Sequence, residues 1–532
     1  MEKKRKVGYI ILFSVYTAAN IFLVSKIRGS KEVRDSWQVV YMQRFRWWDI
    51  FVFAALCVVV LILVMGFIEK AVLWLRALYA RYAVSHSADT KGFLGRTFVC
   101  ILAVWSVFFL AFYPGTAMND TVYILEDPFK LSNQHPVVYN MYLYAFYRVG
   151  CLLNDPNLGL ALLSLVQMTG MAYVLAKAVA MLRQRGAANW LCRVLTVYFG
   201  IAPLFATYAV SAIKDTPFSI CLFALLLLLC ELASGKGALL ESKPFWLQMS
   251  LCLFGVVSFR NNGAMIVLGA AAVLCVVYKR YAGRFLLLIG SVIMLWLLIN
   301  RLVVPAESEP LFQERVGIPL QQTAAVIVKG KPLDEDEARY LYRLLPEEMW
   351  QRYSPACSDT LKWNDAFDRE YLNETRDQFM RIWRQLLWKN PRVCAEAYLL
   401  ETYGIWGIET RNKEQYYNKE IWENTLWLYQ DSPLPEPVRK LVADYYCNRF
   451  TYRYLSMGTA YWLLLAVTLW LLYRKAYRAV VVTVPLWLLF ASLLAATPIA
   501  FAFRYGFVIA MAFPFYIILP FMADREGSFL NG

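Results

Sequence analysis

Residues 97–113 read TFVCILAVWSVFFLAFY, and residues 114–140 continue PGTAMNDTVYILEDPFKLSNQHPVVYN. The first run is apolar and has about the length that a helix needs to cross a ~30 Å hydrocarbon core. The second run carries an acidic residue, Asp120, and one of only two histidines in the chain, His135. The pattern predicts a membrane span that ends in a polar loop.

Similar apolar runs recur along the 532 residues, of which 59% are hydrophobic and only 17% are charged. The mean hydropathy is +0.43, whereas soluble proteins carry roughly 25% charged residues. We therefore predict an all-α, polytopic integral membrane protein with about 12 transmembrane helices. The predicted spans are 8–25, 50–67, 97–113, 157–181, 194–211, 216–233, 246–259, 264–279, 284–303, 456–473, 479–497 and 505–522. The seventh and eighth spans are short, so the sequence leaves open two spans or a re-entrant hairpin over 246–279.

Lysine and arginine in the short loops predict the orientation. With a cytoplasmic N-terminus, the basic loops 69–96, 182–193, 234–245, 279–284 and 474–478 all fall inside. The basic stretch 26–49 falls outside and is an exception to the rule. The prediction is a multi-pass cell-membrane protein with both termini in the cytoplasm.

One long polar stretch interrupts the apolar runs. Residues 304–455 hold 24 acidic and 20 basic residues, although the whole chain has a net charge of +15. We predict four parts: a two-helix extension (1–96), a transmembrane core (97–303) with a first outer loop (114–156), an extracytoplasmic helical domain (304–455) and C-terminal helices (456–532). The basic excess of the membrane part is typical of anchoring to anionic lipid, so no nucleic-acid partner is expected.

Polar residues beside apolar spans are the candidate functional residues, because burying them costs free energy. The topology places four such groups on the outer face. They are Asp120 with His135; Lys214 with Asp215; Arg260 with Asn261 and Asn262; and Arg504 with Tyr505. A partly desolvated carboxylate with a raised pKa can act as a general base, and arginine and lysine can bind a lipid-linked phosphate.

At these residues the chain resembles the GT-C superfamily of membrane glycosyltransferases, which use polyprenyl-phosphate sugars. It is most similar to a bacterial branch with Tyr-Pro-Gly, Asp-Thr, His-Pro, Lys-Asp, Arg-Asn-Asn-Gly and a late Arg-Tyr. These correspond to residues 113–115, 120–121, 135–136, 214–215, 260–263 and 504–505.

The resemblance implies an inverting glycosyltransferase with Asp120 as the catalytic acidic residue. The donor would be a polyprenyl-phosphate-linked sugar, and the acceptor an envelope glycan, a teichoic-acid-like polymer, a lipid or a protein. Relatives often pair two acidic residues to hold a metal, but here the neighbour is Asn119, which argues against a divalent ion. His135, Lys214, Asp215, Arg260, Asn261, Asn262, Arg504 and Tyr505 would bind substrate.

Each motif also has a purely structural interpretation. Asp120 and Asn119 are good N-cap residues for a helix that starts at Thr121, and Asp215 could cap the helix that follows it. The Arg260 group could form a tight turn, and Arg504 could extend to the lipid headgroups.

Two other functions are alternatives, and transport is the less favoured of them because the polar groups gather at one surface and the spans are nearly free of charge. A polymerase or ligase of lipid-linked oligosaccharides would use diphosphate carriers. A transporter or flippase would need polar residues in the middle of its spans.

Overall fold

The computed structural model describes residues 2–34, 37–82, 90–127, 135–235, 238–304, 312–409, 419–448 and 456–526. The chain is mostly helical. Before the inserted domain the helices are α1 (Glu2–Lys26), α2 (Asp49–Tyr82), α3 (Thr90–Ala111), α4 (Asn119–Glu126), α5 (Val137–Leu152), α6 (Pro156–Gln184), α7 (Asn189–Ile201), α8 (Pro203–Ala209), α9 (Asp215–Ser234), α10 (Lys243–Phe259), α11 (Gly263–Val277) and α12 (Ala282–Val303).

The second half contains the inserted domain and the C-terminal helices. These are α13 (Gly317–Val328), α14 (Glu335–Leu344), α15 (Asp359–Lys362), α16 (Arg369–Glu374), α17 (Arg376–Lys389), α18 (Pro391–Glu401), α19 (Tyr403–Trp406), α20 (Glu436–Lys440), α21 (Met457–Tyr473), α22 (Tyr477–Ala495) and α23 (Phe507–Glu526).

Within the described residues, eight helical segments are long and apolar enough to cross a membrane. They are Lys6–Lys26, Asp49–Phe67, Lys91–Ala111, Pro156–Gln184, Asp215–Ser234, Lys279–Val303, Tyr477–Ala495 and Phe503–Pro520. This confirms a helical membrane protein. Three further predicted spans coincide with the shorter apolar helices α10, α11 and α21.

The predicted span 194–211 differs from the structure. It is a pair of helices, α7 and α8, bent by 54°. The break is at Ala202, whose extended backbone (φ −67°, ψ 112°) precedes Pro203. The proline ring disfavours the α conformation in the residue before it, so the chain turns there.

The stretch 246–279 forms two separate helices. α10 and α11 have 17 and 15 residues, so at 1.5 Å per residue they are about 26 and 23 Å long. The amide of Gly263 donates to the carbonyl of Arg260 over 2.9 Å and closes the turn between them.

The all-α prediction misses one small sheet. Strands β1 (Ile27–Arg34) and β2 (Trp37–Met42) pair antiparallel between α1 and α2. The N-terminal helix then packs on α21, where Trp462 Nε1 donates to Thr17 Oγ1 over 2.8 Å.

The inserted domain is helical, as predicted, and has its own apolar core. Leu320, Leu341, Trp350, Phe379 and Leu386 are fully buried within it. The starts of its helices are capped differently. A capping box forms between Asp334 and Glu337 at α14, whereas the side chain of Asn390 makes no cap bond at α18.

The inserted domain contacts the loop between α22 and α23. The Ser358 amide donates to the carbonyl of Pro498 over 2.9 Å, and the Ala500 amide donates to the carbonyl of Ala356 over 2.8 Å. A second segment returns to the polar loop after α3, where the Trp422 amide donates to the carbonyl of Ala117 over 2.9 Å. The domain therefore lies at the end of the bundle that carries the polar residues.

Candidate functional site

The site is built on two loops that pair with each other. The Thr116 amide donates to the carbonyl of Val210 over 3.0 Å, and the Ala212 amide donates back to the carbonyl of Thr116 over 2.8 Å. Gly115 allows this approach, since it has φ +142° and a Cβ there would lie 2.8 Å from the Val210 carbonyl oxygen. The pairing brings the loop after α3 beside the loop before α9.

Two hydroxyl groups fix the short helix α4 and helix α5 to the same loop. Thr121 Oγ1 and Tyr139 Oη both donate to the carbonyl of Ala212, the latter over 2.9 Å. Asp120 lies in the first turn of α4, after the cap residue Met118. The alternative interpretation of Asp120 as an N-cap is therefore wrong, and its carboxylate is available to other partners.

Arg504 reaches Asp120 from the other end of the chain. It lies in a 3₁₀ turn (Phe503–Gly506) just before α23. Its Nη1 is 3.5 Å from Asp120 Oδ2 and 3.3 Å from the sulfur of Met118. Only 15% of the arginine side chain is exposed, so it does not extend to headgroups. The distance between Arg504 and Asp120 exceeds the ~2.7–2.9 Å of a close charged pair. The guanidinium group can therefore still donate hydrogen bonds to a ligand.

Lys214 is paired with a neutral group. Its Nζ lies 3.0 Å from His135 Nδ1. An ammonium group can only donate, so Nδ1 accepts and the ring carries its proton on Nε2. His135 is buried. The contact positions both residues without neutralising the lysine.

Arg260 is paired with a carboxylate. Its Nη1 lies 2.6 Å from Oδ1 of the fully buried Asp215 and donates to the carbonyl of Tyr505 over 3.2 Å. The guanidinium also lies over the Phe218 and Tyr505 rings, at 5.5 and 5.0 Å from their centroids. Asp215 is the first residue of α9 and not its cap; it holds Arg260 instead.

The electrostatics of Asp120 differ from the sequence prediction. Burial raises the pKa of Asp120, but the positive charges of Arg504 and Lys214 outweigh burial and lower it to about 2. The expected rise toward neutrality is therefore wrong for the unliganded protein. Burial and the neighbouring Lys214 lower the pKa of His135 to about 3. Burial also lowers the pKa of Lys214, against the opposing effect of Asp120.

The remaining predicted residues lie at the edge of this group. Asn262 Nδ2 donates to Ser492 Oγ over 2.7 Å, which ties the α10–α11 turn to α22. Asn261 is exposed in that turn. Tyr505 contributes its carbonyl and its ring to Arg260. The structure thus brings together Asp120, His135, Lys214, Asp215, Arg260, Arg504 and Tyr505, and the two asparagines lie in the turn that follows Arg260.

Three neighbours were not predicted. Met118 lies under Arg504, and Phe218, three residues after Asp215, lies under Arg260. Asp359 of the inserted domain lies near the turn that precedes Arg504, because the amide of its neighbour Ser358 donates to the carbonyl of Pro498. Phe218 could have been found from its position one turn along α9, but nothing in the sequence links Asp359 to the site.

The surroundings of Asp120 do not fit a metal ion. Its near neighbours among the described residues are two cations, a histidine that accepts from Lys214, and Met118. The described part of the chain contains no group of three His, Cys, Asp or Glu residues placed to hold a metal.

Fold and site together define a polytopic helical membrane protein with one composite polar site at the end of its helices. The chain belongs to DUF6020, a family of unknown function whose model matches residues 46–528. No curated protein and no solved structure matches it.

Proposed function

We propose that the chain is a membrane glycosyltransferase that moves a sugar from a polyprenyl-phosphate donor to an acceptor. The observation that supports this most is the meeting of one carboxylate, Asp120, with two incompletely neutralised cations, Lys214 and Arg504. Glycosyl transfer from a phosphate requires a base for the acceptor hydroxyl and cations that stabilise the departing phosphate.

The charge of the site favours a donor with a single phosphate. Three cations face two carboxylates, Asp120 and Asp215, and His135 is neutral, so the group has one net positive charge. A sugar linked through one phosphate carries one negative charge, and a diphosphate-linked sugar carries two. Electrostatic complementarity therefore favours the monophosphate over the diphosphate carriers of a polymerase or ligase.

In the proposed reaction, Asp120 accepts the proton of an acceptor hydroxyl. The hydroxyl oxygen forms a bond to the anomeric carbon while the bond from that carbon to the phosphate oxygen breaks. The electron pair leaves with the phosphate, which gains charge and is held by Lys214 and Arg504. Attack opposite the leaving group inverts the anomeric configuration. Arg260, already paired with Asp215, positions Tyr505 and the turn that carries Arg504.

Donor binding would also activate the base. The two cations that lower the pKa of Asp120 are the groups proposed to hold the phosphate. A phosphate placed on them compensates their field at the carboxylate, because an added negative charge favours the protonated form. The pKa of Asp120 then rises, and its basicity increases when the donor is present.

The proposed location follows from the loop charges. We place the site and the inserted domain on the extracytoplasmic side of the cell membrane and both termini in the cytoplasm. The donor's lipid tail would lie between the spans. The acceptor would be an envelope glycan, a teichoic-acid-like polymer, a lipid or a protein.

The test uses purified protein in lipid with a panel of polyprenyl-phosphate sugars and envelope extract as acceptor. The readout is release of polyprenyl phosphate. We expect release by the wild type, reduced about 10²-fold or more in Asp120→Asn, the scale of a lost general base. Glu423→Gln, which changes an exposed carboxylate, is the matched control and should keep full activity. Release only from diphosphate-linked glycans would instead support a polymerase or ligase.

A further inference from the structure

The basic stretch 26–49 is an exception to the loop-charge rule, and the structure shows what surrounds it. This stretch holds six basic and three acidic residues. It forms the hairpin of β1 and β2 and the segment that leads into α2. Ile27 and Val40 of the hairpin share a buried apolar cluster with Tyr403 and Ala500. The basic residues therefore lie at the end of the bundle that carries the inserted domain.

An apolar groove lies between α1 and α2 beside this basic stretch. It has a volume of about 390 Å³. Ala19, Phe22 and Leu23 of α1 form one wall, and Ile50 and Phe53 of α2 form the other. The side chain of Ile50 is 68% exposed, so a ligand can enter the groove from the side.

The groove is open toward lipid. Only 11% of the span Asp49–Phe67 is buried within the protein, so this helix lies at the edge of the bundle. Ala19 lies about 10 Å along α1 from its last residue, Lys26, at 1.5 Å per residue. The groove therefore reaches into the hydrocarbon region, where its ligand is an acyl chain. Acyl chains are as apolar as leucine side chains, so any selectivity among lipids must come from the headgroup.

Two arginines at the rim are available to a headgroup. Arg46 lines the groove, Arg44 precedes it by two residues, and both are exposed. Neither forms an ion pair with another described residue. The carboxylate at the rim, Asp49, is already occupied: Lys26 Nζ donates to Oδ1 over 2.6 Å, and the Arg46 amide donates to Oδ2 over 2.7 Å. The two guanidinium groups are therefore left without an acidic partner in this part of the protein.

Two tryptophans beside the arginines mark the level of the headgroups. Trp47 is 76% exposed, and the guanidinium of Arg46 lies 5.0 Å from the centroid of the Trp48 ring. Tryptophan is enriched where a protein crosses the boundary between hydrocarbon and water. Arginine binds phosphate through two parallel hydrogen bonds. A phosphate at this level would meet Arg46 at the point where the apolar groove begins.

We propose that this groove binds an anionic phospholipid of the leaflet that surrounds this end of the bundle. One acyl chain lies between α1 and α2, and the phosphate accepts hydrogen bonds from Arg46 and Arg44. The bound lipid stabilises the hairpin on the cluster that contains Ala500. The proposal gives the basic stretch a role and does not depend on the proposed glycosyltransferase function.

The test measures lipid binding to the delipidated full-length protein in detergent by differential scanning fluorimetry. The probes are dioleoyl phosphatidylglycerol, dioleoyl phosphatidylcholine, glycerol phosphate and undecaprenyl phosphate. A ligand of the folded state raises the melting temperature in a saturable manner, and the midpoint of the titration gives its apparent affinity. We expect phosphatidylglycerol to bind at least about tenfold more tightly than phosphatidylcholine, and glycerol phosphate to give no shift.

Arg44→Gln combined with Arg46→Gln should weaken the binding of phosphatidylglycerol about thirtyfold, because each basic residue beside anionic lipid contributes a factor of about five. The matched control is Arg381→Gln combined with Arg384→Gln, which removes two exposed arginines of the inserted domain. This control should bind phosphatidylglycerol as the wild type does. The melting temperature without lipid verifies that each variant is folded, and the comparison of the two phospholipids on the wild type needs no variant.

Ala19→Phe tests the groove without changing any charge. It should weaken the binding of phosphatidylglycerol about tenfold through lost acyl-chain contacts, whereas Ala55→Phe, at an exposed position of α2, should not. Equal affinity for the two phospholipids, or unchanged binding in either the folded arginine variant or the folded Ala19→Phe, would overturn the proposal.

Two further outcomes would assign the groove to another ligand and also overturn the proposal. A full shift with glycerol phosphate would indicate an anion site that needs no acyl chain. Tighter binding of undecaprenyl phosphate that is lost with Arg44 and Arg46 would make the groove a site for a polyprenyl chain. Donor turnover does not enter any of these measurements, so a failure of the transferase proposal would leave the lipid site standing.

Discussion

Asp215→Asn should be one of the most destabilising single changes in this protein. Asp215 is fully buried, and its Oδ1 is 2.6 Å from Nη1 of Arg260, whose side chain is 12% exposed. The substitution leaves a buried guanidinium with the Tyr505 carbonyl and two aromatic rings as its neighbours. Removing one partner of a buried ion pair typically costs about 3–5 kcal/mol.

The double variant Asp215→Asn with Arg260→Gln separates this charge effect from a loss of packing. It removes both charges, so no uncompensated ion stays buried, and most of the lost stability should return. The free energy of unfolding is measured in detergent by denaturant titration followed by circular dichroism. A single variant within about 1 kcal/mol of the wild type would refute the reasoning, because a desolvated unpaired guanidinium cannot cost so little.

The same pair tests the division of roles among the three cations. The double variant keeps the net charge of the site and both proposed phosphate ligands, Lys214 and Arg504. Donor turnover should therefore be retained within about tenfold, whereas replacing a phosphate ligand should cost more, on the scale of ~1.5–3 kcal/mol for a hydrogen bond to a charged group. Loss of all turnover in a stable double variant would contradict this division, and Arg260 would then be required either to bind substrate or to position Arg504.

Three further predictions follow from single residues. The pKa of His135 is lowered to about 3, so between about pH 4 and 6 the unfolded state binds a proton that the folded state does not. The free energy of unfolding should therefore rise with pH in this range, by up to ~1.4 kcal/mol per pH unit. His135→Gln should flatten that slope, and an unchanged slope would mean that another group causes it. Asp336→Cys, at a side chain 91% exposed, should react with an impermeant maleimide in intact cells while the unsubstituted chain gives the background; labelling only after lysis would reverse the proposed topology. Gly404→Val should destabilise the protein by about 2 kcal/mol, since a Cβ at Gly404 meets the carbonyl of Ala500 and overpacking costs ~1–3 kcal/mol. An unchanged melting temperature in differential scanning fluorimetry would mean that the inserted domain moves away from Ala500 at no cost.

Much of the framework was predictable from apolar periodicity alone, because spanning a bilayer imposes length and composition on each helix. The small features were not. The hairpin of 27–34 and 37–42 lies in a basic stretch without strong alternation. The break at Ala202 depends on the local effect of Pro203 on its backbone. Hydropathy averaged over the length of a span does not show that effect.

The sequence by itself determined that polar residues follow several spans. It also singled out Asp120, Lys214, Arg260 and Arg504, since ionisable groups beside the hydrocarbon core cost free energy and usually mark a functional site. The tertiary structure alone decided their partners. Arg504 and Asp120 are 384 residues apart, and no local rule says that Arg504 approaches Asp120 loosely while Arg260 pairs tightly with Asp215. The sign of the Asp120 pKa shift follows from those partners, because burial alone raises a carboxyl pKa and only nearby cations can lower it. The inserted domain shows the same dependence: only the backbone bonds from 356 and 358 to 500 and 498 bring Asp359 close to the turn that precedes Arg504.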